Sequence, residues 1–229
     1  MGSLRIYPGN YMDGILVINK PAGITSHDVV DAIRRKFHIK RVGHAGTLDP
    51  MATGVLVILV GKATKLSVSF MERDKEYVAR LFLGKSTDTQ DSTGKTLETM
   101  PFNGIEADLV RETLNSFLGE IEQIPPMVSA KKYKGKKLYE LARKGRSVPR
   151  EPCLIKIREI ELLDFDPPEF VFRVRCSKGT YVRTLCESIG KRLGYPAHMS
   201  GLSRTISGEF SLKDAKELGA VSEKDLRLL

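Results

Sequence analysis

Residues 54–61 read GVLVILVG, an uninterrupted apolar run of the length of a buried strand. It is entered through GHAGTLDPMATG (43–54), where Gly43, Gly46 and Gly54 suit a backbone lying close to something else. Asp49 sits in that loop, directly before Pro50. Asp-Pro is a common turn pair, because proline pushes the preceding residue toward extended geometry and aspartate tolerates turns. A polar loop fixed to a core strand is also where a catalytic side chain can be held rigidly. On these residues alone, both readings of Asp49 stand.

The neighbouring segments supply the rest of an α+β body. GILVINK reads as a strand ending at Pro21, and TSHDVVDAIRRKF (25–37) as a helix. That helix has Thr25 or Ser26 as N-cap, acids in its first turn and bases in its last. KATKLSVSFMER suits a helix, KEYVARLFLG (75–84) a strand and KSTDTQDSTGK (85–95) a polar loop. IEADLVRETLNSFLGEI reads as helical around Leu109, Leu114 and Leu118, and IPPMVSA breaks it. CLIKIREIELLDF and EFVFRVRC follow as strands joined across Asp166, Pro167 and Pro168. In the second, Phe170, Phe172, Val174 and Cys176 share one face. SKGTYVRTLCESIGKRLG (177–194) passes from turn to helix, with Leu185, Ile189 and Leu193 four apart. Residues 1–12 lack periodicity and read as an extension, leaving 13–229 as the folded domain.

With 229 residues and 41% hydrophobic content, the chain can bury a real core. Its net charge of +9 favours a polyanionic partner. Nucleic acid suits it better than a membrane, since there is no apolar stretch of spanning length and no signal-peptide pattern. The excess is concentrated in KKYKGKKLYELARKGRSVPR (131–150), whose nine Lys/Arg and one Glu give a local +8. Such a run is either a solvated face or an RNA-binding surface. Interleaved Tyr133 and Tyr139 favour the second, with bases stacking on aromatics and phosphates held by lysines such as Lys132. Cys153, Cys176 and Cys186 and the four histidines lack metal-ligand spacing. The expectation is a reduced cytoplasmic protein with no metal and no cofactor.

Arg183 breaks a local rule. It falls in the first turn of the last helix, where the dipole disfavours a cation. Either it points into water, or a carboxylate arrives from elsewhere to pair with it.

Six segments, taken in order, resemble the TruB family, the bacterial tRNA pseudouridine-55 synthases. GHAGTLDPMATGVLVI looks like the family's catalytic motif, and VINKPAGITSHDVV resembles its N-terminal Lys-Pro motif. DKEYVARLFLGKSTDTQDSTG, PPMVSAKKYKGKKLYELARKG, SKGTYVRTLCESIG and HMSGLSRTISGEF resemble its later blocks, so the likeness spans roughly residues 13–215. It implies a pseudouridine synthase fold, with a mixed, mostly antiparallel central sheet flanked by helices and an RNA-binding cleft.

By this resemblance Asp49 is the catalytic aspartate, Arg183 its ion-pair partner and Tyr77 the aromatic that stacks on the target uracil. Tyr181 becomes a second pocket aromatic, and Leu202 the residue whose backbone meets the uracil edge. His44 fills the space a flipped base vacates. Lys20 and Pro21 pack behind the pocket, and Asp91 is a loop carboxylate linked to the arginine. Val128 departs from the family, which commonly has tyrosine there, and receives no role. The implied reaction is conversion of uridine to pseudouridine in the tRNA T-loop by base flipping, by a monomer without an obligate protein partner. The alternatives are a pseudouridine synthase for another RNA, or a non-catalytic RNA-binding or RNA-folding module. Family members usually continue into a small C-terminal RNA-binding module of the PUA type, which is not expected in this chain.

Overall fold

In the computed structural model, residues 12–129 and 131–228 are described. The extension expected at 1–12 therefore falls almost wholly outside the described residues. In chain order the elements are β1 (Gly14–Lys20), α1 (Ser26–Phe37), β2 (Val42–His44), β3 (Thr53–Val60), α2 (Ser67–Glu72), β4 (Lys75–Leu83), β5 (Lys85–Thr87) and β6 (Thr96–Thr99). There follow α3 (Ala107–Asn115), β7 (Gly119–Gln123), β8 (Lys132–Tyr133), β9 (Lys136–Lys137), α4 (Leu138–Ala142), β10 (Cys153–Asp166) and β11 (Glu169–Cys176). The chain closes with α5 (Val182–Arg192), β12 (Ala197–Ser207), β13 (Phe210–Ser211) and β14 (Lys216–Glu217). These elements form two compact units. One comprises the chain up to Lys75 together with Ser203 onward, and the other Glu76–Leu202.

In the first unit the apolar run becomes β3, paired antiparallel with β1 from Gly14↔Val60 to Lys20↔Gly54. On its other side it meets β2 antiparallel and β12 parallel, while β14 runs parallel to β1. Every residue of β3 from Val55 to Val60 is buried, which is why the run carries no polar alternation. Ile15, Val17, Val55, Val57 and Leu59 pack with Phe70 and Phe210. Helix α1 starts at a full capping box: the Thr25 hydroxyl accepts the Asp28 N–H, and the Asp28 carboxylate accepts the Thr25 N–H.

The second unit carries the strand order β4-β11-β10-β7, with β10 antiparallel to both of its neighbours. Phe170, Phe172, Val174 and Cys176 of β11 are buried, as their alternation predicts. Leu185, Ile189 and Leu193 form the buried stripe of α5. The sheets are thus mixed and mostly antiparallel with helices beside them, the α+β architecture expected.

Three local expectations are corrected. Lys85–Thr87 is not loop but strand, paired with β6 across a bulge, so the polar loop shortens to 88–95. Helix α3 buries Val110, Thr113 and Leu114, while Leu109 and Leu118 are 49% and 45% exposed. It stops at Asn115 because Gly119 turns the chain at positive φ and GEIEQ pairs with β10 instead. The segment before α2 begins as a 3-10 turn, Gly61–Leu66.

Candidate active site

The loop that carries Asp49 is pinned on both sides of that residue. Just before it, the buried Ser26 hydroxyl accepts the Leu48 N–H at 2.8 Å and donates to the Leu48 carbonyl at 3.1 Å. Just after it, the Pro50 carbonyl accepts from the Gly23 N–H at 2.8 Å and from the Lys20 ammonium at 3.2 Å. The Ala52 N–H closes the turn onto the Asp49 carbonyl at 3.0 Å. Asp49 itself is half-buried. Its backbone is therefore fixed by three side-chain and backbone clamps drawn from β1, α1 and the turn between them.

Lys20 is fully buried, and its ammonium also donates to the carbonyls of Pro21 at 2.8 Å and Ile24 at 2.7 Å. Burial pushes its pKa down to about 8, against the pull of the Asp49 and Asp28 carboxylates. It remains a cation at neutral pH, beside the aspartate. Arg204 of β12 is another buried cation. It donates through Nε to the Val55 carbonyl at 2.7 Å and through a terminal nitrogen to the Gly46 carbonyl at 3.2 Å. Gly54 permits this: a Cβ there would lie 2.2 Å from the Arg204 carbonyl oxygen. His44, on β2, is half-buried, and burial lowers its pKa, with the Arg204 charge acting in the same direction. Its imidazole is neutral at physiological pH.

In the second unit Arg183 occupies the first turn of α5, only 4% exposed, so it does not point into water. A terminal guanidinium nitrogen lies 3.6 Å from Asp91, and another donates to the Val128 carbonyl. The arriving carboxylate is the repair that the dipole conflict called for. Asp91 is itself buried. One of its oxygens accepts from the Thr89 hydroxyl at 2.7 Å, the Thr93 N–H at 2.9 Å and the Thr93 hydroxyl at 2.5 Å. Its other oxygen faces Arg183. Tyr181 holds the N-cap position of α5. The Gln123 amide grips its backbone twice, accepting its N–H at 2.8 Å and donating to its carbonyl at 3.1 Å. The Tyr181 ring lies 6.0 Å from the Arg183 guanidinium carbon.

Tyr77 on β4 and Leu202 on β12 are half-buried. Lys132 lies on β8, exposed, in a hairpin whose Lys134-Gly135 tip has positive φ at both residues, the signature of a tight two-residue turn. The tyrosines of this segment are flanked by cations, Lys134 over Tyr133 and Lys137 and Arg143 beside Tyr139. The structure thus gathers Lys20, His44 and Asp49 in one unit and Tyr77, Asp91, Tyr181, Arg183 and Leu202 in the other. Sequence reasoning missed Ser26 as a clamp, Gln123 and Arg204, and left Val128 without a part although its carbonyl holds Arg183.

Among the described residues no group of three or more His, Cys, Asp or Glu is placed to hold a metal ion. No helix among them is long and apolar enough to cross a membrane.

The chain is similar to known proteins over most of its length. The tRNA pseudouridine synthase B of Opitutus terrae is 48% identical over 216 residues, covering 94% of this chain and 90% of that protein. The protein of the same name from Bacillus subtilis is 52% identical over 209 residues, covering 89% of this chain and 68% of that one. Among solved structures, a chain of the Cbf5-Nop10-Gar1 complex superposes with a TM-score of 0.73 at 32% identity over 92% of this chain. This chain spans 54% of that one, about half its length. Residues 34–182 match the model of the TruB family pseudouridylate synthase N-terminal domain, and residues 183–227 that of the tRNA pseudouridylate synthase B C-terminal domain. With both family models matched in succession across residues 34–227, the chain belongs to the TruB family of pseudouridylate synthases.

Proposed function

We propose that this chain converts uridine to pseudouridine at position 55 in the T-loop of tRNA, with Asp49 as the catalytic carboxylate and Arg183 as its ion-pair partner. The observation that carries the reading is the double fixation of the Asp49 backbone beside the Lys20 cation. A turn aspartate needs no such rigidity, whereas a reacting carboxylate does. The names of the relatives, tRNA pseudouridine synthase B, support tRNA as the substrate.

The reaction breaks the bond from uracil N1 to ribose C1′ and forms one from C5 to C1′, while the C5 proton is lost and N1 gains one. It is an isomerisation, balanced without oxidant, reductant or energy source, so the chain's own residues suffice. Asp49 acts in its ionised form, which the Lys20 ammonium favours and which the proposed pairing with Arg183 would favour further. Arg183, aimed by Asp91 and the Val128 carbonyl, sets the direction of that carboxylate. The target base must leave its stack. Tyr77 stacks on it, Tyr181 lines the pocket and the Leu202 backbone meets its edge. Neutral His44 enters the vacated space without carrying charge into the base stack. Lys132 and its neighbours hold phosphates along the T-arm. We place the reaction in the cytoplasm and assign it to the monomer, without a protein partner.

The test is incubation of the purified chain alone with an unmodified tRNA transcript and, in parallel, a ribosomal RNA fragment, followed by chemical mapping of pseudouridine. Modification at T-loop position 55 is expected. Modification confined to the ribosomal fragment would reassign the substrate, and none in either would leave an RNA-binding module.

A further inference from the structure

The loop that delivers Asp91 to Arg183 is docked on α5 by its neighbour, Gln90. Gln90 has φ of 63°, a left-handed backbone that side-chain-bearing residues rarely adopt. Its N–H donates to the Thr87 carbonyl at 3.1 Å, and its carbonyl accepts the Met199 N–H at 3.0 Å. The Ser92 N–H returns to the Met199 carbonyl at 3.0 Å, so the backbone on both sides of Asp91 is tied to β12. Side chains then tie the loop to the helix.

The tie is made by an amide. The Gln90 side-chain oxygen accepts from the Thr184 hydroxyl at 2.7 Å, and its nitrogen donates to the Glu187 carboxylate. Thr184 directly follows Arg183, and Glu187 lies one helical turn beyond it. Adjacent loop residues thus engage adjacent helix residues, Gln90 on Thr184 and Asp91 on Arg183. The amide supplies an acceptor to one helix side chain and a donor to the other at the same time. The carboxylate of Glu187 also feels Lys191 and Arg150, and burial raises its pKa. Gln90, Thr184 and Glu187 form part of the wall of a cavity of about 770 Å³, so an isosteric exchange between Gln and Glu meets no packing obstacle there.

We propose that Gln90 is a positioning residue, whose amide, bridging Thr184 and Glu187, holds the Asp91 carboxylate in register with Arg183. The inference deepens the proposed function and rests on Arg183 serving Asp49. Gln90 itself touches neither substrate nor reacting atoms.

The discriminating set is Gln90→Glu, Glu187→Gln and the two combined. Gln90→Glu sets two carboxylates against each other where a donor met an acceptor. It should lower kcat at least tenfold, with KM for tRNA unchanged within threefold. The double variant exchanges donor and acceptor and keeps the wild-type net charge, so kcat should return to within threefold of wild type. An activity-free readout accompanies this. Hydrogen exchange at the Arg183 Nε–H, followed by NMR, should quicken at least tenfold in Gln90→Glu and recover in the double variant. Thermal melts of all four proteins show whether a change is merely loss of fold. If Gln90→Glu does not fold, the double variant decides: wild-type kcat and exchange support the assignment. Wild-type values in a folded Gln90→Glu, or a folded double variant as impaired as the single one, would overturn it. A wild-type chain that makes no pseudouridine would instead refute the proposed function, and the exchange measurement would still judge Gln90.

Discussion

The buried ammonium of Lys20 donates to the Pro50 carbonyl at 3.2 Å, tying the end of β1 to the residue that follows Asp49. The same ammonium serves the Pro21 and Ile24 carbonyls, so one side chain organises the turn after β1 and the aspartate loop together.

Replacing it tests that organisation. Lys20→Met keeps the length of the side chain but strands buried carbonyl acceptors, each at a cost of roughly 1–3 kcal/mol. The unfolding free energy should fall by about 2–4 kcal/mol, and kcat by more than tenfold as the Asp49 backbone loosens. Urea denaturation and single-turnover assays measure the two. A variant with unchanged stability and rate would mean that the loop holds its own shape.

The same lysine gives stability a pH dependence of definite sign. In the folded protein Lys20 loses its proton at about pH 8, while in the unfolded chain a lysine keeps it to about 10.4. Between these values the unfolded state binds more protons, so Lys20 makes stability rise with pH. Below about pH 8 the burden of a buried cation is present in full. The stability difference, wild type minus Lys20→Met, should therefore grow in favour of wild type from pH 8 to pH 10. A constant difference across that range would show that Lys20 titrates normally.

Asp49→Asn keeps the loop's shape and removes the charge. Turnover should vanish while tRNA binding stays within a few-fold, because Asp49 performs chemistry and contributes little to phosphate contacts. Multiple turnover by a clean Asp49→Asn preparation would refute the assignment.

Elements built on local periodicity were legible before the structure. The β3 run, an N-cap for α1 at Thr25 or Ser26 and the α5 stripe are written within a dozen residues each, where hydrophobic spacing and cap chemistry act directly. Arg183 was legible for a different reason: a cation at a helix N-terminus is a local conflict, and a conflict points outward to a missing partner. The clamps were not. Ser26 meets Leu48, Gln123 meets Tyr181 and Arg204 meets Val55 only after long stretches of chain have folded. Each is a single polar residue with no pattern around it, and its partner is usually a backbone group that any residue could offer. Leu118 misled because helix spacing continued past the point where Gly119 turned the chain.

Arg183→Lys should cost far more than its chemical similarity suggests. The guanidinium reaches Asp91 with one nitrogen and the Val128 carbonyl with another, and a lysine has one head for both. A fall in kcat of at least about 30-fold is expected, near 2 kcal/mol. Activity within about threefold of wild type would contradict its pairing with Asp49.

The last prediction concerns the basic hairpin. Lys132, Lys134, Lys136 and Lys137 are all exposed on β8, β9 and the turn between them. The base of the hairpin is held by backbone bonds, Leu138 N–H to the Lys131 carbonyl at 2.8 Å and Tyr139 N–H to the Ser129 carbonyl at 3.0 Å. Changing the four lysines to glutamine therefore leaves the supporting bonds in place and removes only charge. If these side chains meet phosphates, each lost contact removes a released counterion. The slope of log K against log salt should flatten by about 0.7–0.9 per contact, and the affinity loss should be greatest at low salt. Loss of the cations beside Tyr133 and Tyr139 should add little, since such contacts at exposed sites are worth about 0.5–1 kcal/mol. Once tRNA is saturating, kcat should stay close to wild type, because Asp49 and its clamps are untouched. Binding measured across a salt series, with the single-turnover rate at saturation, separates the outcomes. An unchanged slope would make the hairpin a solvated face, and an unchanged slope with a lowered rate would show that it acts on the chemistry rather than on the phosphates.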